Sequence, residues 1–250
     1  HMAPEGSRNL GVQEANIIDL VKPITKYAVV VNDPEDIEEV MKDAIRIATH
    51  GRPGPVWIDI PMDVQGAQCF DIESALREAK RPLILAGNGI NCAQARNEFI
   101  DFVQRTNIPV VTSYNAVDLF PSVYSNFVGR VGIKGTRAGN FAMQNCDLLL
   151  VIGCRLPVPV TGYNYKTFAR EAKVIVVDID KDEHSKETVK IDRFIHRDAK
   201  DFLKITLFDR EKNDWNEICR LWKKKWPVCP DENPSEKVDL YYFMKVLNDR

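Results

Sequence analysis

The stretch GIKGTRAGNFAMQNCDLLLVIGCRL, Gly132 to Leu156, decides the fold class of this chain. A predicted helix over 137–145 leads directly into the almost wholly apolar run at 147–152. Such a run lacks the polar alternation of a half-exposed strand, so it is typical of a strand buried on both faces of a parallel sheet. The stretch therefore predicts an α/β domain.

The same alternation of short apolar runs with longer amphipathic segments continues on both sides of this stretch. Each crossover is long enough to hold a helix, so we predict a doubly wound, mostly parallel, six-stranded Rossmann-like domain. Five of its strands are expected at 82–86, 109–112, 147–152, 173–179 and 193–195, and its helices at 72–79, 93–106, 137–145 and from Ala199.

A second α/β segment precedes that domain and a polar tail follows it. The first is predicted as the last βαβ part of another domain, with strands at 27–31 and 56–60. Its helix would be capped by Asn32 or Asp33, have Pro34 in its first turn and end at Gly51. A Trp-rich helix at 214–226 and a helix from Val238 belong to the tail. We expect the domains to span 3–66, 67–230 and 231–250.

Charge and composition exclude several classes of partner. The 34 basic and 36 acidic residues nearly cancel, so no positive field favours nucleic acid or an anionic membrane. No apolar run approaches the roughly 20 residues that span a bilayer. We therefore expect a cytoplasmic protein with small-molecule or protein partners. His1 and Met2 are typical of a residual expression tag, and we leave them out.

Six cysteines lie at 69, 92, 146, 154, 219 and 229. They form no C-x-x-C pair, and with only four histidines they show no zinc-ligand spacing. Three of them, Cys92, Cys146 and Cys154, lie in or beside apolar segments, so we predict that they are buried and inert.

Candidate ligand-binding residues follow the predicted strands, because open parallel sheets bind ligands beyond the carboxyl ends of their strands. Glycines there allow a phosphate to approach the backbone, an arginine can clamp it, and a carboxylate can accept from sugar hydroxyls. The residues that we select for a dinucleotide are Gly87, Gly89, Gly132, Gly135, Thr136, Arg155, Asp178 and Asp180.

Each of these residues also has a purely structural interpretation. G-N-G is not a full dinucleotide fingerprint and is compatible with a tight turn, while Thr136 is compatible with a helix N-cap. Arg155 is compatible with an exposed surface charge. One aspartate of the pair at 178 and 180 is expected to cap the next turn. We expect the histidines at 184 and 196 on surface turns rather than in catalysis.

Several segments together resemble thiamine-diphosphate enzymes of the acetolactate synthase-like family. The resemblance covers roughly residues 10–230 and rests on the agreement of independent segments in order. The segments are LGVQE (10–14), KPITKYAV (22–29), GRPGPVWIDIP (51–61), DVQ (63–65), RPLILAGNGI (81–90), NIPVVTSYN (107–115), the stretch at 132–156, VTGY (160–163) and VIVVDID (174–180).

The resemblance implies a parent enzyme of three α/β domains, a lyase or transferase that decarboxylates a 2-keto acid before carboligation or protonation. It implies thiamine diphosphate and Mg²⁺ bound by the first and third domains, and a 2-keto acid or aldehyde substrate in a homo-oligomer. This chain would hold the end of the first, pyrimidine-binding domain, the central domain and a helix leading to the third. The family's catalytic glutamate would lie upstream of residue 8 and its GDG…N motif downstream of residue 250. We therefore expect the chain alone to be inactive.

The chain departs from the family pattern where synthases contact flavin. The family's G-M-H-G-T reads GIKGT here, with Lys134 in place of histidine. Its R-F-D-D-R-V-T-G reads RLPVPVTG at 155–162, and the lysine of P-K-D-V-Q is Met62. These departures place acetolactate synthesis and flavin binding in question, although FAD or ADP in the central domain stays a hypothesis.

Two alternatives from other classes remain open. One is a non-catalytic, Rossmann-like nucleotide-binding or structural module. The other, an independent NAD oxidoreductase, is weakened by the incomplete glycine fingerprint and by the lack of an obvious acid for hydride transfer.

Overall fold

The computed structural model describes residues 16–61, 64–65, 72–186, 188–205, 208–229, 232 and 236–248. The chain divides into two compact units, residues 1–71 and 72–250. Within the described ranges, no helix is both long and apolar enough to cross a membrane.

The first unit contains a parallel pair of strands joined by a helix, as predicted. Strand β1 (Tyr27–Val30) pairs with β2 (Val56–Asp59), with Tyr27 opposite Val56. The helices are α1 (Ile17–Val21) and α2 (Ile37–Thr49).

Helix α2 begins later than the sequence predicted. Pro34 starts a separate 3₁₀ turn, Pro34–Asp36, and the α-helix begins at Ile37 with Asp36 in the cap position. The prediction of Asn32 or Asp33 as its cap is therefore wrong, because the fixed φ of Pro34 suits the tighter turn equally well. The predicted end is confirmed, since Gly51 has a φ of +64° just beyond the helix.

The second unit is built on a six-stranded, wholly parallel sheet, which confirms the predicted fold class. The strands are β3 (Pro82–Ala86), β4 (Val110–Thr112), β5 (Phe127–Arg130), β6 (Leu148–Ile152), β7 (Lys173–Asp178) and β8 (Arg193–His196). Their order is β5-β4-β3-β6-β7-β8, so the sheet is doubly wound and its strand order reverses between β3 and β6. Strand β5 was not located from the sequence, because FVGR combines a glycine and an arginine with only two apolar residues.

Helices cover the sheet along the second unit. They are α3 (Ile72–Glu78), α4 (Gly89–Cys92), α5 (Arg96–Thr106), α6 (Arg137–Asn145), α7 (Val158–Thr161), α8 (Lys181–His184), α9 (Ala199–Ile205), α10 (Asp214–Lys225) and α11 (Leu240–Asn248). The single helix predicted at 93–106 is in fact α4 and α5. Gln94 separates them with a φ of +53°, which no α-helix accommodates.

The core of the second unit lies between the sheet and these helices. Every residue of β3 and β6 is buried, as the apolar runs predicted. Helix α10 also packs into this core: Trp215 is 3% exposed and donates its indole N–H to the carbonyl oxygen of Pro82 at 3.0 Å. The Trp-rich helix therefore belongs to the second unit.

The five described cysteines form no disulfide. Cys146 and Cys154 are buried, as predicted, and burial raises their thiol pKa values to about 12 and about 11. Cys92 is exposed, so its predicted burial is wrong. It is the last residue of the short helix α4, whose inward side chain is Ile90.

Candidate functional site

The carboxyl ends of the strands bring most of the predicted residues to one edge of the second unit. All six strands are parallel, so the segments that follow β3, β6 and β7 emerge on the same side. These segments carry Gly87 and Gly89, Arg155, and Asp180, with Asp178 as the last residue of β7. The predicted placement at the edge is confirmed, and this edge is the candidate functional site.

At the reversal of strand order, the turn after β3 rests directly on the turn after β6. Gly87 donates its N–H to the carbonyl oxygen of Ile152, and Gly89 donates its N–H to that of Gly153, each at 2.9 Å. A Cβ atom on Gly87 would lie 2.1 Å from the Gly153 oxygen and 2.5 Å from the Cys154 Cα. The two glycines therefore permit a close approach within the chain itself, and they do not form an open cradle for a phosphate.

The GIKGT loop at 132–136 is likewise fixed by local contacts. A side chain on Gly132 would meet the carbonyl oxygen of Pro159 at 2.0 Å, and one on Gly135 would meet that of Arg130 at 2.7 Å. Asn140 holds the loop from α6, accepting from the Gly132 N–H at 2.8 Å and donating to its carbonyl oxygen at 3.0 Å.

Thr136 occupies the N-cap of α6, which confirms its structural interpretation. Its hydroxyl oxygen accepts from the Gly139 N–H at 3.1 Å. Lys134 belongs to the same loop, and its ammonium lies 5.4 Å from the centre of the Tyr114 ring. Lys134 is exposed, whereas Thr136 is half-buried beneath the loop.

Arg155 takes part in a three-residue charge cluster at the surface. Its guanidinium donates to Oε2 of Glu183 at 2.5 Å, and Lys186 donates to Oε1 at 2.5 Å. The pKa of Glu183 is lowered to about 2. The hydrogen bond from Arg155 is the largest cause, and the bond from Lys186 is the second. The cluster borders a cavity of about 300 Å³ whose wall includes Leu156 and Tyr165.

Asp178 and Asp180 have different roles. Asp180 caps α8 by accepting from the Glu183 N–H at 2.9 Å, so the expectation that one of the two caps the next turn is confirmed. Asp178 is 8% exposed, and its Oδ2 lies 3.3 Å from Nε2 of His184. Burial raises the pKa of Asp178, but the His184 imidazole and the Asp180 N–H outweigh it, and the pKa lies below its ordinary value.

Of the two histidines expected on surface turns, His184 is buried and His196 lies at the surface but at the end of a strand. The His184 side chain is 3% exposed and its ring centre lies 5.4 Å from that of Phe194. His196 is exposed but ends β8, with Nε2 3.0 Å from the carbonyl oxygen of Ile179. Nothing in the polar run KDEHS indicated burial, because the cause is a partner on another element, Asp178.

Two further polar residues, Glu183 and Thr112, lie at this edge and are not among the residues selected from the sequence. Glu183 accepts from both Arg155 and Lys186. The D-x-x-E spacing from Asp180 to Glu183 is typical of a helix N-terminus and could have pointed to it. Thr112 ends β4 with its hydroxyl buried, and that hydroxyl has no hydrogen-bond partner among the described residues. The candidate position Met62 lies outside the described residues.

Most of the candidate residues at this edge already have partners within the chain. Gly87, Gly89, Thr136 and Asp180 are engaged in contacts within the chain, and Arg155 is paired with Glu183. The described part of the chain also contains no group of three or more His, Cys, Asp or Glu residues placed to hold a metal ion. What this edge presents beside its cavity is the paired charge of Arg155 and Glu183.

Comparison with known proteins gives a consistent set of relatives. Residues 71–205 match the family described as thiamine pyrophosphate enzyme, central domain. The chain is 35% identical to a probable acetolactate synthase large subunit of Methanocaldococcus jannaschii, over 96% of this chain and 46% of the relative. It is 33% identical to the acetolactate synthase large subunit of Corynebacterium glutamicum, over 97% of this chain and 44% of the relative. For acetolactate synthase isozyme 2 large subunit of Escherichia coli the identity is 30%, over 95% of this chain and 46% of the relative. The chain spans about half the length of the curated relatives it matches.

Proposed function

Because the chain belongs to the thiamine pyrophosphate enzymes, of the acetolactate synthase-like type, we propose that it forms part of a 2-keto acid decarboxylase and carboligase. In this proposal the parent protein removes CO₂ from a 2-keto acid and joins the remaining fragment to a second 2-keto acid or an aldehyde. It acts in the cytoplasm as a homo-oligomer.

The observation that carries this proposal is the reach of the similarity beyond the central domain. The family match begins at residue 71, one residue before the second unit begins. The methanogen relative, however, aligns with 96% of the chain. An alignment that omits so little must include most of the first unit as well, which supports an enzyme of this architecture over an isolated central module.

The chain's own part in this reaction is structural. Thiamine diphosphate, where it is bound, supplies the electron sink that decarboxylation needs. The described residues present no cluster of metal ligands, so the proposal gives none of them a role in holding Mg²⁺ or the diphosphate. The first unit instead contributes the β1-α2-β2 layer, and the second unit contributes the six-stranded sheet with its helices. We expect the chain alone to be inactive.

The direct test compares this chain with a longer protein that contains it and has the full length of its relatives. Pyruvate is supplied to each with thiamine diphosphate and Mg²⁺, and both CO₂ and acetolactate are measured. We expect turnover by the longer protein and none by this chain. If the longer protein releases no CO₂ from pyruvate or its larger 2-keto homologues, the proposed reaction is wrong. Turnover by the chain alone would refute its proposed inactivity.

A second candidate function is a structural or nucleotide-binding module at the strand-end edge. The contacts of Gly87 and Gly89 with the turn after β6 favour the structural form. A binding site for FAD or ADP would instead use Arg155 and the 300 Å³ cavity beside it. The melting temperature of the chain with FAD, NAD or ADP decides between them: a rise with FAD or ADP that Arg155→Gln abolishes supports a nucleotide site, and no shift with any supports the structural role.

A further inference from the structure

A second cavity lies at the opposite end of the sheet from the candidate edge. It has a volume of about 370 Å³, within the roughly 300–1,000 Å³ typical of small-molecule sites. Arg81, which precedes β3, and Arg170 and Glu171, which precede β7, line one side. The cavity therefore lies at the amino ends of these strands, whereas the candidate edge is formed by the carboxyl ends.

The other side of this cavity is aromatic and aliphatic. Trp215 and Trp222 lie one above the other on α10, with ring centres 5.6 Å apart and rings nearly perpendicular. Ile218, 39% exposed, occupies the same helix face one turn before Trp222. Trp215 is fixed by its bond to the Pro82 carbonyl oxygen. The cavity therefore has a rigid apolar wall.

The charged side of the cavity carries both signs. Nε of Arg81 donates to the carbonyl oxygen of Asn145 at 2.6 Å, which anchors the side chain. Its terminal nitrogens form no hydrogen bond with the other described residues. Within the described residues, neither Arg170 nor Glu171 forms a side-chain hydrogen bond or ion pair. Arg81, Arg170 and Glu171 thus bring two positive charges and one negative charge to the lining, which includes Gln144 and Asn145 as well as the apolar residues of α10.

We propose that this cavity binds a small zwitterion with an apolar body, namely an α-amino acid with an aromatic or large aliphatic side chain. Its carboxylate would bind Arg81 and Arg170, because a guanidinium matches a carboxylate in geometry. Its ammonium would bind Glu171, and its side chain would pack on Trp222 and Ile218.

The lining disfavours three simpler ligand classes. A polyanion such as a nucleotide phosphate would face the carboxylate of Glu171 as well as the arginines. A plain carboxylic acid would leave Glu171 without a cation, and a plain amine would leave both arginines without an anion. A ligand that carries both charges satisfies all three residues.

The test uses the full chain, L-phenylalanine and two analogues that each lack one charge. The analogue 3-phenylpropanoate has no ammonium, and 2-phenylethylamine has no carboxylate. Binding is followed by calorimetry and by the fluorescence of the indole groups. We expect L-phenylalanine to bind with a dissociation constant of about 1 mM or tighter, and each analogue to bind at least about fivefold more weakly.

Charge-removing variants assign the binding to this cavity. Arg170→Gln is expected to weaken L-phenylalanine and 3-phenylpropanoate at least about fivefold but to leave 2-phenylethylamine unchanged. Glu171→Gln is expected to weaken the binding of 2-phenylethylamine and to leave that of 3-phenylpropanoate unchanged. Lys166→Gln, which removes an exposed charge from a residue that does not line the cavity, is the matched control and should change none of them.

Three results would overturn the proposal. One is no binding of L-phenylalanine at concentrations on the order of 10 mM. Another is equal binding of all three compounds, and the third is an unchanged affinity in both cavity variants. Unfolding midpoints of the variants close to that of the parent chain show that any loss of binding is not a loss of fold.

Discussion

The backbone N–H of Gly89 donates to the carbonyl oxygen of Gly153 at 2.9 Å, so the turns after β3 and β6 touch backbone to backbone. Neither residue has room for a side chain, since a Cβ on Gly89 would lie 2.7 Å from the Gly153 Cα, and one on Gly153 would lie 2.8 Å from the Gly89 Cα. The order of strands reverses here, where open α/β sheets commonly bind ligands. In this chain that position is filled by the chain's own backbone.

This contact predicts that Gly87→Ala strongly destabilises the second unit. The added methyl would lie 2.1 Å from the Gly153 oxygen, so one of the two turns must move. Overpacking of this kind costs roughly 1–3 kcal/mol of unfolding free energy, and here we expect the upper end. Urea unfolding followed by circular dichroism measures it.

Asn88→Ala is the control for that substitution. Asn88 lies between the two glycines, but its side chain is exposed and bonds only to Asn91 and Cys92 among the described residues. We expect a loss below about 0.5 kcal/mol. Equal losses for Gly87→Ala and Asn88→Ala would mean that the turn tolerates a side chain at 87, contrary to the geometry.

The N-cap at Thr136 gives a second prediction. Thr136→Ala removes the bond from the Gly139 N–H and should lower the unfolding free energy by about 0.5–2 kcal/mol. Thr136→Ser keeps the hydroxyl and should restore most of the loss. Thermal unfolding of the three proteins measures both effects, and a serine variant as unstable as the alanine variant would show that the hydroxyl is not the cause.

The buried strands could be predicted from the sequence because their signal is local. The runs PLILA and LLLVI need no knowledge of the rest of the chain to be recognised as doubly buried. Strand β5 could not be found in this way. A glycine inside a short run weakens its strand signal, and the reason for Gly129 lies outside the run, in the Thr136 hydroxyl 2.0 Å from where its Cβ would lie.

The sequence predicts where the candidate site residues lie but not which contacts they make. The rule for parallel sheets correctly brought Gly87, Arg155 and Asp178 to one edge. Their contacts depend on residues of other elements, such as Glu183, 28 positions after Arg155, and His184, which lies against Asp178. Local sequence therefore left both interpretations of each residue open, because the contacts that bear on them come from distant parts of the chain.

The buried pair of Asp178 and His184 predicts a specific dependence of stability on pH. The pKa of Asp178 is lowered in the folded chain, so its charge stabilises the fold above its ordinary pKa, about 3.9. That stabilisation is lost as the pH falls through the lower, folded value. Asp178→Asn should reduce the unfolding free energy by about 1–2 kcal/mol at pH 7 and by progressively less below about pH 4.

Urea unfolding of both proteins from pH 7 to pH 3 measures this difference. The side-chain carbonyl oxygen that the variant carries at this position can still accept from the Asp180 N–H, whereas its amide nitrogen takes the place of Oδ2 beside His184. The substitution therefore removes the charge and the acceptor that faces His184. A difference that stays constant down to pH 3 would show that the carboxylate contributes only as a hydrogen-bond acceptor.

The charge cluster around Glu183 predicts an unusual carboxyl titration. Its pKa is about 2, with Arg155 as the largest cause and Lys186 second. Arg155→Gln should therefore raise the pKa more than Lys186→Gln does. Titration of the side-chain carboxyl resonances by ¹³C NMR measures both, and the reverse order would contradict the bond to Arg155 as the stronger of the two.

Reaction with a thiol reagent gives the last prediction, because the described cysteines differ sharply in burial. Cys92 is exposed and should react readily in the native chain with Ellman's reagent. Cys154 is 4% exposed, and its pKa of about 11 leaves only about one thousandth of it as thiolate at pH 8. It should react only after unfolding in denaturant, and peptide mapping by mass spectrometry identifies the labelled residue. Because Cys154 directly follows Gly153, rapid labelling of Cys154 in the native chain would mean that the contact between the two turns opens, and the ligand position that it fills would then be accessible.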